Sequence, residues 1–195
     1  WGTRRLPVTK SVEKCMLPVG NRPIVDYVVQ DCIAAGLEAI YFVVGEQSEQ
    51  LHDFYRNNVE LNDYLRRNGK EDLLPMIAPP KVKLHYVVQS SYGKYGTSIP
   101  VALAYEAMEK PDESVVVLMG DDCIYNADGS SEVANLLEQT PEGECAMLGV
   151  EVPPGAAVAS RPLATPSRRF SPCSQWRSIA AISAGSRIPG TSSTG

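Results

Sequence analysis

The chain has 195 residues, of which 44% are apolar and 21% are charged, a composition typical of a globular domain large enough to enclose a core. Its net charge of −5 argues against a general nucleic-acid-binding surface. No apolar run approaches the roughly 20 residues of a membrane-spanning helix, and no signal peptide is recognisable. Five widely spaced cysteines without a Cys-x-x-Cys pair disfavour a disulfide framework or a zinc site. We therefore expect a cytoplasmic protein without nucleic-acid or membrane partners.

Helical and strand-like segments alternate along the first 151 residues. A helical apolar repeat starts at Ile24 and ends before Gly36, and a long polar helical segment is expected to break near Asn57. Short runs of β-branched residues indicate buried strands. This alternation indicates an α/β fold with a mainly parallel, open sheet flanked by helices. The predicted helices cover residues 24–33, 48–67, 97–110 and 131–138, and the predicted strands cover 39–44, 82–88, 114–119 and 145–150.

Residues 152–195 are a different kind of sequence. They contain five arginines but no lysine and no acidic residue, whereas the first 151 residues carry a net charge of −10. They are rich in serine, proline, alanine and glycine, and residues 178–186 are only a weak helix candidate. We interpret this segment as an atypical tail, either disordered or read in a shifted frame.

Residues 2–19, which read G-T-R-R-L-P-V-T-K-S-V-E-K-C-M-L-P-V, concentrate positive charge in this acidic chain. The backbone N–H groups of Gly2 and Thr3 can donate hydrogen bonds to a triphosphate, and Arg4 can bind its oxygens through two parallel hydrogen bonds. Lys14 can add a point charge from the next turn. The segment is therefore a candidate phosphate-binding loop, and a solvated basic loop is the alternative.

The apolar strand predicted at residues 114–119 is followed at once by Gly120, Asp121 and Asp122. Ligands of open α/β sheets bind beyond the carboxyl ends of the strands. A carboxylate at that place suits Mg²⁺, which prefers oxygen ligands and could bridge phosphate oxygens. The alternative is a pair of aspartates that caps a turn.

A strand-ending glutamine, Gln89, precedes a loop that contains Gly93 and Gly96. Glutamine offers a hydrogen-bond donor and an acceptor to the edge of a base, and glycine lets the backbone approach a ring or a sugar. An ordinary strand-to-helix connection is the alternative.

The pattern G-T-R-x-x-P-x-T-K-x-x-x-K-x-M-L-P-V resembles the signature loop of the sugar-1-phosphate nucleotidyltransferases, and within them the bacterial UTP–glucose-1-phosphate uridylyltransferases. The resemblance implies transfer of a nucleotidyl group from an NTP, with UTP favoured over dTTP or GTP, to a sugar-1-phosphate, with glucose-1-phosphate favoured. Pyrophosphate would be released. It implies catalytic, phosphate-contacting roles for Arg4 and Lys14, and Mg²⁺ as the cofactor on Asp121.

The same resemblance implies nucleotide binding by Gly2, Thr3, Gln89, Gly93 and Gly96, although Gly93 and Lys94 stand in the reverse of the usual order. Cys15 stands where close relatives often have glutamate, and no role is assigned to its thiol.

The resemblance extends over residues 1–151 and implies the nucleotide-binding part of a Rossmann-like fold, truncated at both ends. Because a central strand and the sugar-binding half would then be missing, we expect marginal stability of the chain alone. A non-catalytic nucleotide-binding fragment is the alternative function, and a glycosyltransferase with Asp121 and Asp122 as its metal motif is a third. A homo-oligomer is compatible with the sequence, which does not require one.

Overall fold

The computed structural model describes residues 5–93, 96–108, 115–141, 144–148 and 179–183. The helices are α1 (Ile24–Ala34), α2 (Gln50–Tyr55), α3 (Val59–Arg67), α4 (Leu74–Ile77), α5 (Ser98–Ala107) and α6 (Glu132–Gln139). The strands are β1 (Pro18–Val19), β2 (Arg22–Pro23), β3 (Ala39–Gly45), β4 (Lys83–Gln89), β5 (Val115–Met119) and β6 (Ile179–Ser183). None of the helices in these ranges is long and apolar enough to cross a bilayer.

Local signals explain where several helices begin and end. The side chain of Asn58 accepts a hydrogen bond from the Leu61 N–H at 3.0 Å, and Ser131 caps α6 in the same way through the Ala134 N–H at 2.9 Å. The predicted break near Asn57 is confirmed, because Arg56 is extended and separates α2 from α3. Helix α1 ends just before Gly36, whose φ of +77° favours glycine.

The main sheet has four strands in the order β4-β3-β6-β5. Strands β3 and β4 pair in parallel over their full lengths, from Ala39 opposite Lys83 to Gly45 opposite Gln89. Strand β6 is antiparallel to both β3 and β5, so β5 points the same way as β3 and β4. The carboxyl ends of these three strands therefore lie at one edge, as the predicted α/β fold with its mainly parallel sheet requires.

Strand β3 separates two apolar layers. Ile40, Phe42 and Val44 face a core cluster built from α1, α2 and α6, whereas Tyr41 and Val43 face α5. The sheet is thus covered by helices on both faces at β3, in agreement with the predicted architecture.

Two predicted elements differ from the structure. A strand is predicted at residues 145–150, but its described part, residues 145–148, forms no strand and is exposed, with Met147 90% accessible. Residues 149–150 lie outside the described residues. Residues 179–183, within the weak helix candidate at 178–186, instead form strand β6 in the middle of the sheet. The first difference arises because a short apolar run does not reveal whether a partner strand is available. The second arises because pairing of β6 with two neighbouring strands overrides the helical preference of its alanines.

We expect Ala181→Pro to destabilise the fold, because Ala181 lies opposite both Tyr41 and Val117 in the centre of the sheet. Proline removes a ladder hydrogen bond and is tolerated only at sheet edges, so the free energy of unfolding should fall by about 2–3 kcal/mol. Urea unfolding followed by circular dichroism measures this change. Ala181→Ser, which keeps the N–H, is the matched control. Equal midpoints for the two variants would show that residues 179–183 do not pair within the sheet.

Candidate active site

A cleft of about 690 Å³ opens at the edge of the sheet where the parallel strands end. Its walls come from the basic loop at residues 9–15, from residues 45–50 after β3, from residues 91–92 after β4, and from Asp121 after β5. Four segments that are distant in sequence therefore converge on one place. This is the edge at which open α/β sheets bind their ligands.

Lys14 and Asp121 meet in this cleft, where the Lys14 ammonium forms an ion pair with the Asp121 carboxylate. The side chains are 29% and 14% exposed, so the pair is partly shielded from water and its attraction is stronger than that of an exposed pair. The two residues belong to two separate sequence motifs. The structure thus joins the candidate phosphate-binding loop to the candidate metal-binding turn.

A tight turn at the end of β5 directs Asp121 into the cleft. The Asp122 N–H donates a hydrogen bond to the Met119 carbonyl at 3.2 Å, which closes the turn. Asp122 itself is exposed and does not line the cleft. Cys123 follows, and partial burial together with the neighbouring Asp122 charge raises the pKa of its thiol.

The basic loop consists of two 3₁₀ turns, Val8–Lys10 and Lys14–Met16. Cys15, next to Lys14, is only 1% exposed and packs in the core cluster of α1 and β3. Lys14 therefore reaches into the cleft, and Cys15 fixes the same turn to the core. The thiol to which the sequence assigned no role is a core contact.

Hydrogen bonds tie this loop to the segment after β3. The Glu13 N–H donates to Gln50 Oε1 at 2.9 Å, and the Gln50 N–H donates to Glu13 Oε1 at 3.0 Å. Gln50 Nε2 also donates to the Ser11 carbonyl at 2.6 Å, and Ser48 Oγ donates to Glu13 Oε2. Two walls of the cleft are thus joined by four hydrogen bonds.

The structure places the other predicted nucleotide-binding residues less directly at the cleft or does not describe them. Gly2, Thr3 and Arg4 lie outside the described residues. Gln89 ends β4 opposite Gly45, but Ser91 and Tyr92 supply the wall of the cleft there, and neither Gly93 nor Gly96 lines it. Gly96 has a φ of +140°, a backbone conformation that favours glycine. This conformation by itself explains why glycine stands at this position.

The carboxylate of Asp121 suits a magnesium ion that arrives with a substrate. Within the described residues, no group of three or more histidine, cysteine or acidic side chains could hold a metal. Protein sites often bind Mg²⁺ through one or two carboxylates and complete its shell with phosphate oxygens and water. A single carboxylate next to a candidate phosphate-binding lysine fits that arrangement.

Sequence reasoning missed Glu13, Ser48, Gln50 and Tyr92. The first three act through hydrogen bonds between segments that lie 35 to 39 residues apart, and no local pattern reports such contacts. Tyr92 lines the cleft and is 96% exposed. Its position next to Gly93 was the only feature of the sequence that could have indicated a role in the site.

Residues 1–156 match the model of the nucleotidyl transferase family. The chain belongs to that family. Among similar nucleotidyl transferases, the UTP–glucose-1-phosphate uridylyltransferase of Streptococcus pyogenes is 30% identical, over 80% of this chain and 56% of that protein. The Streptococcus pneumoniae serotype 4 protein of that name is 33% identical over 62% of this chain and 40% of its own.

Solved structures agree with this assignment. A UTP-bound UGPase from Acinetobacter baumannii has a TM-score of 0.62 and 28% identity, and the match covers 70% of this chain and 48% of that one. A UDP-glucose pyrophosphorylase from the same organism gives 0.59 at 28% identity. This nucleotidyl transferase chain spans about half the length of the curated relatives and solved chains that it matches.

Alkylation should separate the cysteines by burial. We expect iodoacetamide to modify the exposed Cys145 at least tenfold faster than Cys15 or Cys32, because both of those are buried and burial raises the pKa of the Cys32 thiol. Peptide mass spectrometry before and after urea addition gives the rates. If Cys15 reacted as fast as Cys145 in the folded chain, the basic loop would not be anchored in the core.

Proposed function

We propose that this chain supplies the nucleotide-binding part of an enzyme that transfers a nucleotidyl group from an NTP to a sugar-1-phosphate. UTP and glucose-1-phosphate are the favoured substrates, in line with the names of the similar proteins. The observation that carries the proposal is the contact between Lys14 and Asp121 inside the cleft. It brings a cation for phosphates and an oxygen ligand for Mg²⁺ to the ligand-binding edge of the sheet.

In the proposed reaction, a phosphate oxygen of the sugar-1-phosphate attacks the α-phosphorus of the nucleotide in line. A P–O bond forms to the sugar phosphate, and the bond between the α-phosphorus and the bridging oxygen breaks. Pyrophosphate leaves with the electron pair of that bond, and the product is an NDP-sugar. Catalysis of this kind depends mainly on positioning and on neutralising phosphate charge.

Each proposed residue serves one of these two needs. Arg4 and Lys14 neutralise the triphosphate, and the backbone N–H groups of Gly2 and Thr3 hold its oxygens. Asp121 holds Mg²⁺, which when bound supplies Lewis-acid stabilisation to phosphate oxygens. The remaining nucleotide contacts, to the base and sugar, are assigned to Gln89, Gly93 and Gly96, which flank in sequence the Ser91 and Tyr92 of the cleft wall.

A nucleotide-binding fragment without catalytic activity is the second candidate. It is favoured by the lining of the cleft, where residues suited to phosphates and a metal are assigned but none is assigned to a sugar phosphate. The two candidates share the cleft and its nucleotide contacts. They differ only in whether a sugar phosphate is bound and consumed.

We also propose that the protein works in the cytoplasm. Cys15 and Cys32 are buried without a disulfide, and Cys123 and Cys145, the other cysteines in the described ranges, form none either. Disulfides are rare in reducing compartments, so this pattern supports the proposal.

Lys14→Gln should weaken Mg-UTP binding, because it removes a positive charge from the cleft while preserving much of the side chain's length. A charge-assisted contact is worth about 1.5–3 kcal/mol, which corresponds to a loss of affinity of roughly 10- to 150-fold. Isothermal titration calorimetry measures the change, with the exposed Lys70→Gln as the matched control. Equal affinities for the two variants would remove Lys14 from the proposed site.

Asp121→Asn tests the metal and the reaction together. The unsubstituted chain should bind UTP more tightly in Mg²⁺ buffer than in EDTA buffer. We expect Asp121→Asn to reduce the ratio of these two affinities at least tenfold, because an amide is a much poorer Mg²⁺ ligand than a carboxylate. Asp72→Asn, on an exposed turn, is the control and should keep the full gain.

A pyrophosphate-release assay with glucose-1-phosphate then separates the two candidate functions. Release by the unsubstituted chain supports the transferase, and Mg-UTP binding without release supports the fragment. A chain that binds none of UTP, dTTP, GTP and CTP would contradict both.

A further inference from the structure

We propose that Glu13 and Gln50 together act as positioning residues that hold Lys14 at the cleft. The two residues form the Glu13–Gln50 clamp. The proposal deepens the proposed function and rests on it where nucleotide binding is concerned, but the clamp can also be tested without a nucleotide. Neither residue carries a predicted role in phosphate, metal or base binding.

The clamp is reciprocal. Each residue donates its backbone N–H to a side-chain oxygen of the other, at 2.9 and 3.0 Å. The remaining groups are used as well, since Gln50 Nε2 donates to the Ser11 carbonyl at 2.6 Å and Glu13 Oε2 accepts from Ser48 Oγ. Hydrogen bonds to an ionised carboxylate are among the stronger ones, so Glu13 is the stronger half of the clamp.

The clamp connects Lys14 to a rigid part of the molecule. Gln50 is the first residue of α2, and that helix is fixed in the core by Leu51 and Tyr55, which are 1% and 6% exposed. Tyr55 also donates a hydrogen bond to the buried Asp26 of α1 at 3.2 Å. On the other side, Glu13 directly precedes Lys14 and begins the 3₁₀ turn that contains it. The clamp thus links the backbone of Lys14 to α2, in addition to the core contact that the neighbouring Cys15 makes.

A lysine needs such support because its long side chain loses much rotamer entropy when its ammonium is held in one place. Without a nucleotide, the clamp sets the backbone position from which the ammonium reaches Asp121, so the ion pair itself depends on the clamp. In the proposed reaction, Lys14 would contact the phosphates and Asp121 would hold Mg²⁺, so the ion pair would no longer position the lysine. The clamp uses neither group and persists through that exchange.

Amine acetylation tests the clamp in the unsubstituted chain and its variants. With brief acetic anhydride treatment, we expect Lys14, which is paired with Asp121, to react more slowly than the exposed Lys70. Gln50→Ala should raise the Lys14-to-Lys70 rate ratio at least threefold. The matched control is Gln30→Ala, the same change on the exposed face of α1, and it should leave the ratio unchanged.

A double-mutant cycle shows whether the two residues form one unit. Glu13→Ala, Gln50→Ala and the double variant should all raise the ratio by a similar factor, because either change alone opens the clamp. Glu13→Gln keeps an acceptor oxygen and should give an intermediate ratio. If the rise in the ratio in the double variant equalled the product of the rises in the two single alanine variants, the residues would act independently and the clamp would not be one unit.

Calorimetry with Mg-UTP completes the test. We expect Gln50→Ala to weaken binding about tenfold while circular dichroism shows a folded chain, and if that variant does not fold, Glu13→Gln carries the comparison. If the unsubstituted chain binds no nucleotide but the acetylation ratios shift as expected, the proposed function fails and the clamp stands. Unchanged ratios in a folded Gln50→Ala chain overturn the clamp, whatever the nucleotide affinity.

Discussion

Burial of β3 on both faces is the constraint on which the described structure depends. Its side chains alternate between the core shared with α1 and α6 and the core shared with α5, and both of its edges are paired. This arrangement fixes the register of β3 against its neighbours, since a shift by one residue would exchange its two apolar faces. The carboxyl end of β3 then delivers residues 45–50 to the cleft, where the basic loop docks against them.

Much of the fold could be predicted because its elements carry local signals. The apolar repeat of α1 ends at a glycine, β3 and β5 are continuous apolar runs, and Asn58 marks the point where a long helical segment breaks. Lys14 and Asp121 were also predictable as candidate site residues, because each belongs to a motif whose chemistry is readable from a few neighbouring residues. Asp121 lies where a strand of the predicted sheet ends, but its contact with Lys14, which is on a 3₁₀ turn, is not reported by any local pattern.

The remaining features depend on contacts between distant segments. The run at residues 145–148 has the composition of a strand, but no strand of the described sheet pairs with it. Strand β6 is alanine-rich and is a strand only because β3 and β5 both pair with it. Glu13 and Gln50 look like ordinary polar residues in sequence, since only their reciprocal geometry reveals the link between two loops.

The position of β6 also determines the order in which this sheet can be assembled. Strands β3 and β5 have no direct pairing with each other, and the strand that joins them comes about 60 residues after β5 and about 135 after β3 along the chain. Contacts of such long sequence separation close late, because a long loop must be ordered before they form. During synthesis, the β3–β4 pair can therefore form early, while β5 must wait for residues 179–183 to leave the ribosome. In that interval the unpaired edges of β3 and β5 are open to association with other chains.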